Sequence, residues 1–310
     1  MTDDAFCRAL VERITSAAPM LLDFRRDLHA HPELSREEVR TTRVITEHLT
    51  AAGIPVRPLA GTGVLADVGP EQAAYRVALR ADIDALPVRE RTGLSFASNT
   101  SGVCHACGHD VHTAALLGAM LALKAEEETL RERGVAVRAI FQPAEEIIPG
   151  GAHDAIAHRC MEDVDAVFAV HCDPTLDVGQ VGLREGALTA ACDHIRVVLH
   201  GRGGHTSRPQ LTEDLTYALA KVITDVPAAL SRRLDPRAGA ALVWGVVQAG
   251  KASNVIPSSG ECSGTLRMLD ANAWLSVGPL LEEIVAGVVA PYGVEAKLER
   301  VKGVPPVVTR

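Results

Sequence analysis

The stretch that most constrains this chain is Ser101-Gly-Val-Cys-His-Ala-Cys-Gly-His-Asp-Val-His112, which holds two Cys, three His and one Asp. An apolar helical pattern from Thr113 to Lys124 follows it directly. Thiolates and imidazoles at a helix N-terminus lie where backbone N–H groups and the helix dipole favour negative charge. The stretch therefore predicts one side of a site for a divalent cation.

Composition is that of an ordinary soluble globular protein, with 47% hydrophobic and 23% charged residues among 310, enough for two domains. A formal charge of −8 and the lack of a basic stripe argue against a nucleic-acid partner. No apolar run approaches the ~20 residues of a membrane span, and the N-terminus lacks a signal-peptide layout. Seven scattered Cys favour the reducing cytoplasm over a disulfide framework.

Hydrophobic patterning predicts two domains. Over residues 1–187, strand-like runs alternate with helices, which predicts an α/β domain whose mostly parallel sheet is flanked by helices. Over residues 188–301, the order β-α-β-β-α-β is typical of a ferredoxin-like α+β domain. Near the N-terminus, Ser35-Arg-Glu-Glu38 is predicted to be a capping box for the second helix.

Polar residues follow three apolar strands of the first domain, and others open the helix of the Cys-His stretch. They are Asp82 and Asp84, Glu145 and Glu146, His171, and then Cys107, His109 and Asp110. Sites in open α/β sheets form beyond the carboxyl ends of the strands. The sequence therefore predicts a divalent-metal site with mixed sulfur, nitrogen and oxygen ligands.

Each motif also has a plainer interpretation when it is taken alone. These interpretations are a turn or helix cap for Asp82 and Asp84, a redox dithiol or half a zinc site for Cys104-x-x-Cys107, a solvated surface pair for Glu145-Glu146, and a core or surface His for His171. We reject a dinucleotide loop at Gly61-Thr-Gly63, because a β-like run rather than a helix follows it.

Adjacent carboxylates can divide the work of hydrolysis. One binds the metal, which lowers the pKa of bound water, and the other stays free as a base that later passes the proton to a leaving amine. Glu145-Glu146 fits this division, and the reaction it indicates is hydrolysis of a carbonyl compound, most naturally an amide.

The motifs together resemble the M20-type metallopeptidases, specifically the amidohydrolase branch with hippurate, N-acyl-amino-acid and auxin-conjugate hydrolases. The matching stretches occur in family order and are Arg25–Ser35, Ala78–Pro87, His105–Asp110 with His112-Thr113, Phe141–Glu146 with Gly150–Ala152, Asp165–His171, Gly201–His205, Asn254–Pro257 and Gly264–Arg267. The resemblance implies a catalytic domain and an inserted lid and dimerisation domain.

The resemblance also implies roles for single residues. Cys107, His109, Glu146 and His171 match ligands of up to two divalent ions (Zn, Mn, Co or Ni), with Cys107 bridging; Glu145 matches the general base, and Asp84 matches the residue that orients the site. His205 matches a substrate-carbonyl contact usually supplied across a dimer interface, and Asn254 and Arg267 match further substrate contacts.

Two departures from the family pattern are expected to matter. Relatives of this type usually return to the catalytic domain with a last His ligand, whereas here only residues 302–310 follow the second domain and no His comes after His205. Ile147-Ile148-Pro149 also replaces the usual glycines after the Glu pair.

The resulting prediction is a cytoplasmic, homodimeric, metal-dependent amidohydrolase that acts on small N-acyl amino acids. The alternatives are a truncated, inactive protein that dimerises or binds ligands, and a redox protein that uses Cys104 and Cys107.

Overall fold

The computed structural model describes residues 2–309, which form two compact units with a boundary between Val178 and Gly179. The sequence places the domain boundary at 187/188 and assigns 302–310 to the first domain. Those assignments stay predictions, and the two units are described separately below.

The first unit is built on a mixed sheet with helices on its faces. Its strands are β1 (Val56–Pro58), β2 (Val64–Val68), β3 (Tyr75–Asp82), β4 (Val135–Gln142) and β5 (Ala166–Ala169), and its helices are α1 (Asp3–Ala30), α2 (Val39–Ala51), α3 (His109–Ala125), α4 (Glu127–Arg133) and α5 (Ala152–Ala157). The prediction that the metal-binding stretch opens a helix is confirmed, because α3 begins at His109.

The strand order of this sheet is β1-β2-β4-β3-β5. β3 pairs in parallel with β4 and β5, whereas β2 pairs antiparallel with both β1 and β4. The prediction of a mostly parallel sheet is therefore wrong. Residues 59–63, which join β1 to β2, are too few for the crossover that a parallel pair requires.

Period-2 alternation explains why both faces of the sheet are covered. On β4, Val137, Ala139 and Phe141 face the core beneath α1, α2 and α3, whereas Ile140 faces the smaller core that includes Ala155 of α5. Since successive side chains of a strand point to opposite faces, a strand covered on both sides reads as a continuous apolar run. Because β3, β4 and β5 are parallel, their carboxyl ends lie at one edge of the sheet.

The turn before α2 does not form the predicted capping box. The helix starts at Val39, and its N-cap residue Glu38 makes no capping hydrogen bond through its side chain. The carboxylate of Glu33 instead accepts the N–H groups of Arg40 and Thr41, at 2.9 and 2.8 Å. The polar side chains of this turn are therefore free for contacts outside the helix.

The second unit is an antiparallel sheet with two long helices. Its strands are β6 (Gly186–Thr189), β7 (Ala191–His200), β8 (Gly204–His205), β9 (Ala241–Ala249), β10 (Val255–Ile256), β11 (Ser259–Met268), β12 (Glu295–Val304) and β13 (Val307–Thr309), its α-helices are α6 (Leu215–Arg233) and α7 (Ala271–Val289), and its 3₁₀ turns are Pro209–Leu211, Pro236–Ala238 and Ala290–Tyr292. Its main sheet has the order β12-β7-β11-β9. The predicted β-α-β-β-α-β succession is confirmed, and it is that of the ferredoxin-like motif.

The helices of the second unit bury one face of this sheet. Val222 and Leu219 of α6 and Leu281 and Val285 of α7 pack in one core with Ile195 of β7. The segment Ala271–Tyr292 is also long and apolar enough to cross a membrane, but a core helix passes the same test, so this is weak evidence for a membrane span.

Candidate metal centre

The candidate metal centre lies where three strands of the first unit end beside the start of α3. Asp84 follows β3, Glu145 and Glu146 follow β4, and His171 follows β5. Because these three strands are parallel, their carboxyl ends share one edge of the sheet, and His109 begins the helix at this edge.

Ligand-type atoms converge around His109. The groups whose ligand atoms all lie within 4.8 Å of one another are Cys107 with His109 and His171, His109 with Glu145 and Glu146, and Asp82 with His109 and His112. The structure therefore brings the predicted ligands and the predicted base together. Their individual roles stay predictions.

The tautomer of His109 leaves one ring nitrogen directed at the other ligands. Nδ1 lies 2.8 Å from the backbone carbonyl oxygen of Asp84, to which it donates its proton. Nε2 is buried and has no hydrogen-bond partner among the described residues, although Glu146 Oε1 lies 3.7 Å away. A buried, unpaired nitrogen is costly, so the orphaned Nε2 fits a metal ligand.

His171 is oriented in the same way. Its Nδ1 donates to the carbonyl oxygen of Cys172 at 2.7 Å, which leaves Nε2 with a lone pair. That Nε2 lies 3.3 Å from the sulfur of Cys107. Metal-binding histidines commonly donate their other ring N–H to a carbonyl, and both His109 and His171 do so here.

Asp84 is held from two sides. Its Oδ2 accepts the hydroxyl of Ser35 at 2.6 Å and the N–H of Glu146 at 3.0 Å. Burial raises the pKa of Asp84, but the neighbouring His109 first, and then the hydrogen bonds from Ser35 and the backbone of Glu146, outweigh burial and hold the pKa below its usual value. Asp84 is thus an anion that links three parts of the centre.

Asp82 and His112 satisfy one another instead of facing a cation. His112 Nδ1 donates to Asp82 Oδ1 at 2.7 Å, and Arg80 donates to Oδ2 at 2.7 Å. His112 Nε2 accepts the N–H of Cys172 at 2.8 Å. Both nitrogens of His112 are therefore in use, and Asp82 and His112 form a buried support beside His109.

The sequence gives no role to His112, yet His112 joins the end of β3 to the residue after His171. Spacing could have shown this support, because His109 and His112 lie three residues apart on one helix face. The hydrogen bond of Ser35 to Asp84 is also absent from the sequence prediction, which assigns Ser35–Glu38 to a helix cap.

The charge balance of the centre favours a cation. Burial raises the pKa of Cys107 to about 12, and the carboxylates of Glu146, Asp82 and Glu145 add to this rise. Burial and neighbouring Glu145 likewise raise the pKa of Glu146. Burial lowers the pKa of His109, but the surrounding carboxylates raise it overall. A divalent ion would relieve this excess of negative charge, so the donor set fits the metal that the sequence predicts.

Cys104 and His105 stand outside these groups. Cys104 is a buried free thiol whose backbone pairs with Leu86. His105 is also buried, and burial lowers its pKa to about 4. The structure thus separates the two cysteines of the motif, with the sulfur of Cys107 beside His171.

The predicted substrate contacts lie in the second unit, and two of them are neighbours. His205 on β8 pairs with Val255 on β10, the residue after Asn254. Arg267 lies toward the other end of β11 from Ser259, roughly 26 Å along the strand at about 3.3 Å per residue. Within this unit, Arg267 is therefore remote from β10, the strand paired with His205.

Sequence comparison relates the chain to curated bacterial proteins. It is 49% identical over 289 residues to a Rhodococcus jostii (strain RHA1) protein named as a glutamate–cysteine ligase, of which it spans 36%, so that name describes a much longer protein. It is 38% identical over 294 residues to an N-acetyl-L-cysteine deacetylase of Bacillus subtilis (strain 168), and this match covers 94% of the chain and 70% of the relative.

Structural comparison and a family model agree with this result. A Bacillus subtilis crystal structure described as a dinuclear metal-binding peptidase of the M20 family superposes with a TM-score of 0.81 and 34% identity, over 96% of this chain and 77% of that one. The family model for peptidase family M20/M25/M40 matches residues 78–310, which include the ligand-type residues around His109. With its fold, its cluster of donor atoms and its relatives in agreement, the chain belongs to peptidase family M20/M25/M40.

Proposed function

We propose that the chain is a metal-dependent amidohydrolase that cleaves the amide bond of small N-acyl amino acids. The observation that carries this proposal is the buried, unpartnered Nε2 of His109, a residue shared by all three groups of ligand-type atoms. The name of the deacetylase relative adds the substrate class, because N-acetyl-L-cysteine is an N-acyl amino acid.

In this proposal, the divalent ions would be held by Cys107, His109, Glu146 and His171. Zn, Mn, Co and Ni all accept thiolate, imidazole and carboxylate ligands, so the residues do not select one metal. Bound divalent ions supply Lewis acidity that polarises a carbonyl and lowers the pKa of water.

Glu145 is the general base in this proposal. It lies beside Glu146 but is exposed, so its carboxylate is accessible to water and substrate. Its carboxylate oxygen takes a proton from the attacking water and then delivers that proton to the nitrogen of the departing amine. Asp84 orients the site in this proposal, because its backbone oxygen fixes the tautomer of His109 and its carboxylate accepts the N–H of Glu146.

The second unit completes the proposal as a lid and dimerisation domain. His205 would donate a hydrogen bond to the oxyanion of the reacting carbonyl, and Asn254 and Arg267 would contact other parts of the substrate. A cytoplasmic location also belongs to the proposal, and the free thiols of all seven cysteines support a reducing compartment.

The proposal is tested with the purified chain loaded with Zn²⁺ or Mn²⁺ and a panel of N-acyl amino acids that includes N-acetylcysteine and N-benzoylglycine. Release of the free amino group is measured, and bound metal is counted by elemental analysis. We expect Glu145→Gln to keep its metal and lose at least a hundredfold in kcat, within the range of general acid–base catalysis. A metal-loaded chain that hydrolyses no member of the panel refutes the proposal.

A matched pair of cysteine variants tests the assignment within the CxxC motif. Cys107→Ser should lose both metal and activity, whereas Cys104→Ser should keep both. Loss of activity with retained metal in Cys104→Ser would instead support redox chemistry at the two cysteines.

A further inference from the structure

Glu38 is a fully buried carboxylate that contacts the backbone just before the glutamate pair. It is 0% exposed, its Oε1 accepts the N–H of Ala144 at 2.7 Å, and its Oε2 accepts the hydroxyl of Thr62 at 2.6 Å. A buried carboxylate is costly unless hydrogen bonds compensate it, and the N-terminus of α2 adds a favourable dipole. Glu38 makes no capping bond to that helix, so its carboxylate serves the loop after β4.

The residue that Glu38 holds has an unusual backbone conformation. Ala144 has φ of +51°, in the left-handed region that a residue with a Cβ seldom adopts. Its N–H is bound by Glu38, and its carbonyl accepts the N–H of Gly151 at 2.8 Å. Such a conformation persists only where its surroundings impose it. It turns the chain at the end of β4, directly before Glu145.

The Gly61-Thr-Gly63 motif supports the same turn. Gly63 has φ of +85°, and a Cβ there would lie 2.6 Å from the carbonyl oxygen of Phe141 and 2.6 Å from the ring of Pro143. Only glycine permits this approach, which places Thr62 within reach of Glu38. The motif is therefore a packing element beneath the loop that carries the glutamate pair.

Ser35, three residues before Glu38, binds the carboxylate of Asp84 in the candidate metal centre. Its hydroxyl donates to Asp84 Oδ2, the same oxygen that receives the N–H of Glu146. One short turn thus contacts the chain after β3 through Ser35 and the chain after β4 through Glu38. Both contacts end on residues that adjoin or belong to the proposed site.

We propose that Glu38 is a positioning residue for catalysis, which acts through the backbone of Ala144 to orient Glu145 and Glu146. Ser35 has the same function for Asp84, through the hydrogen bond of its hydroxyl. The proposal rests on the proposed hydrolase function. Glu38 does not touch substrate or metal, so its loss should move the base and the ligand without removing a group that binds substrate.

The test compares Glu38→Ala with Glu38→Gln. The glutamine can still accept the N–H of Ala144 through its oxygen, while its amide can donate to Thr62. Glu38→Ala should lower kcat and weaken Mn²⁺ binding, each by about tenfold or more, as expected when a group that orients a metal ligand is lost. KM should change by less than about twofold, and Glu38→Gln should restore most of kcat.

Two controls separate positioning from general stability. Glu37→Ala removes an exposed neighbouring carboxylate, and Leu49→Ala opens a cavity in the buried face of the same helix. All variants are assayed below their melting transitions, and Mn²⁺ affinity is measured by calorimetry. If Leu49→Ala loses as much kcat and Mn²⁺ affinity as Glu38→Ala, Glu38 is only structural and the proposal is overturned.

Thr62→Val keeps the test decisive if Glu38→Ala does not fold. This variant removes one of the two donors to Glu38 at nearly constant volume, and it should show a smaller loss of both kcat and Mn²⁺ affinity. Unchanged values in folded Thr62→Val, or in folded Glu38→Ala, would overturn the proposal. A wild-type chain without hydrolase activity would refute the proposed function instead, while the Mn²⁺ titrations would still report on Glu38.

Discussion

His112 offers a sharp test of how the centre is supported, because its two ring nitrogens have separate tasks. Nδ1 donates to Asp82 at 2.7 Å, and Nε2 accepts the N–H of Cys172 at 2.8 Å. The second bond fixes the backbone beside His171, whose own Nδ1 donates to the Cys172 carbonyl. An asparagine amide reaches about as far as Nδ1, and a glutamine amide about as far as Nε2. His112→Asn and His112→Gln can therefore separate the two bonds.

The size of the effect follows from burial. His112 is 2% exposed, and both of its partners lose a hydrogen bond in His112→Ala. A bond to a charged group contributes about 1.5–3 kcal/mol and a neutral one about 1 kcal/mol, so the free energy of unfolding should fall by about 2.5–4 kcal/mol. His112→Asn, which retains the bond to Asp82, should lose only about 1–2 kcal/mol.

Metal affinity should follow a different order from stability. His112→Asn should weaken Mn²⁺ binding by about 10- to 100-fold, because the backbone that carries His171 is no longer anchored. His112→Gln, which can still accept the N–H of Cys172, should bind Mn²⁺ within a few-fold of wild type although it is less stable than His112→Asn.

The assays are urea unfolding of the metal-free protein and calorimetric titration with Mn²⁺, with the exposed His153→Ala as the control for loss of an imidazole. Wild-type Mn²⁺ affinity in His112→Asn would refute the assignment of Nε2 to the support of His171. Equal affinity losses in the asparagine and glutamine variants would show that the two bonds act as one unit.

Two further predictions concern packing and pH. Gly63→Ala should lower the free energy of unfolding, measured with urea, by about 3 kcal/mol, and Gly61→Ala should lower it by about 1 kcal/mol. Both glycines have positive φ, but only at Gly63 would an added Cβ meet Phe141. Equal decreases in the two variants would contradict this prediction. Burial raises the pKa of Glu90, but hydrogen bonds, first that of the Ser98 N–H, lower it to about 2. The ionised Glu90 therefore stabilises the folded chain above pH 4.5, and this contribution is lost as the pH falls toward 2. The difference in the free energy of unfolding between wild type and Glu90→Gln should shrink over that range, and a constant difference would contradict the prediction.

The sequence predicted the elements of the fold better than their directions. Alternation and helical periodicity located β4 and α3 within a few residues, because both patterns are local. The same patterns say nothing about whether two strands run parallel. The antiparallel pairing of β2 depends on short connections and on the insertion of β4 between β2 and β3, which only the folded chain shows.

The sequence also identifies the ligand-type residues of the candidate metal centre, but not the residues that hold them in place. Cys107, His109 and Glu146 stand in dense motifs of ligand-type residues, so chemistry alone marks them. Glu38 and His112 act through one or two hydrogen bonds to residues that lie 106 and 60 positions away in the chain. No local pattern encodes such a pairing, and Glu38 stood in a segment that matches a helix cap.

The neighbouring Asp82 and Asp84 show why the structure is needed to separate a support from a site residue. Both are buried, and their spacing of two in an extended chain does not distinguish them, although the family resemblance assigns a role to Asp84 alone. Asp82 has both carboxylate oxygens occupied by side-chain donors, from His112 and Arg80. Asp84 has one unpartnered oxygen, Oδ1, 3.4 Å from Nδ1 of His109. A carboxylate with a free oxygen beside a proposed ligand can respond when a cation arrives, whereas a saturated one can only hold its neighbours in place. Asp84 is therefore the residue of the pair whose loss should alter the chemistry of the centre, and the loss of Asp82 should act through His112 and the backbone beside His171.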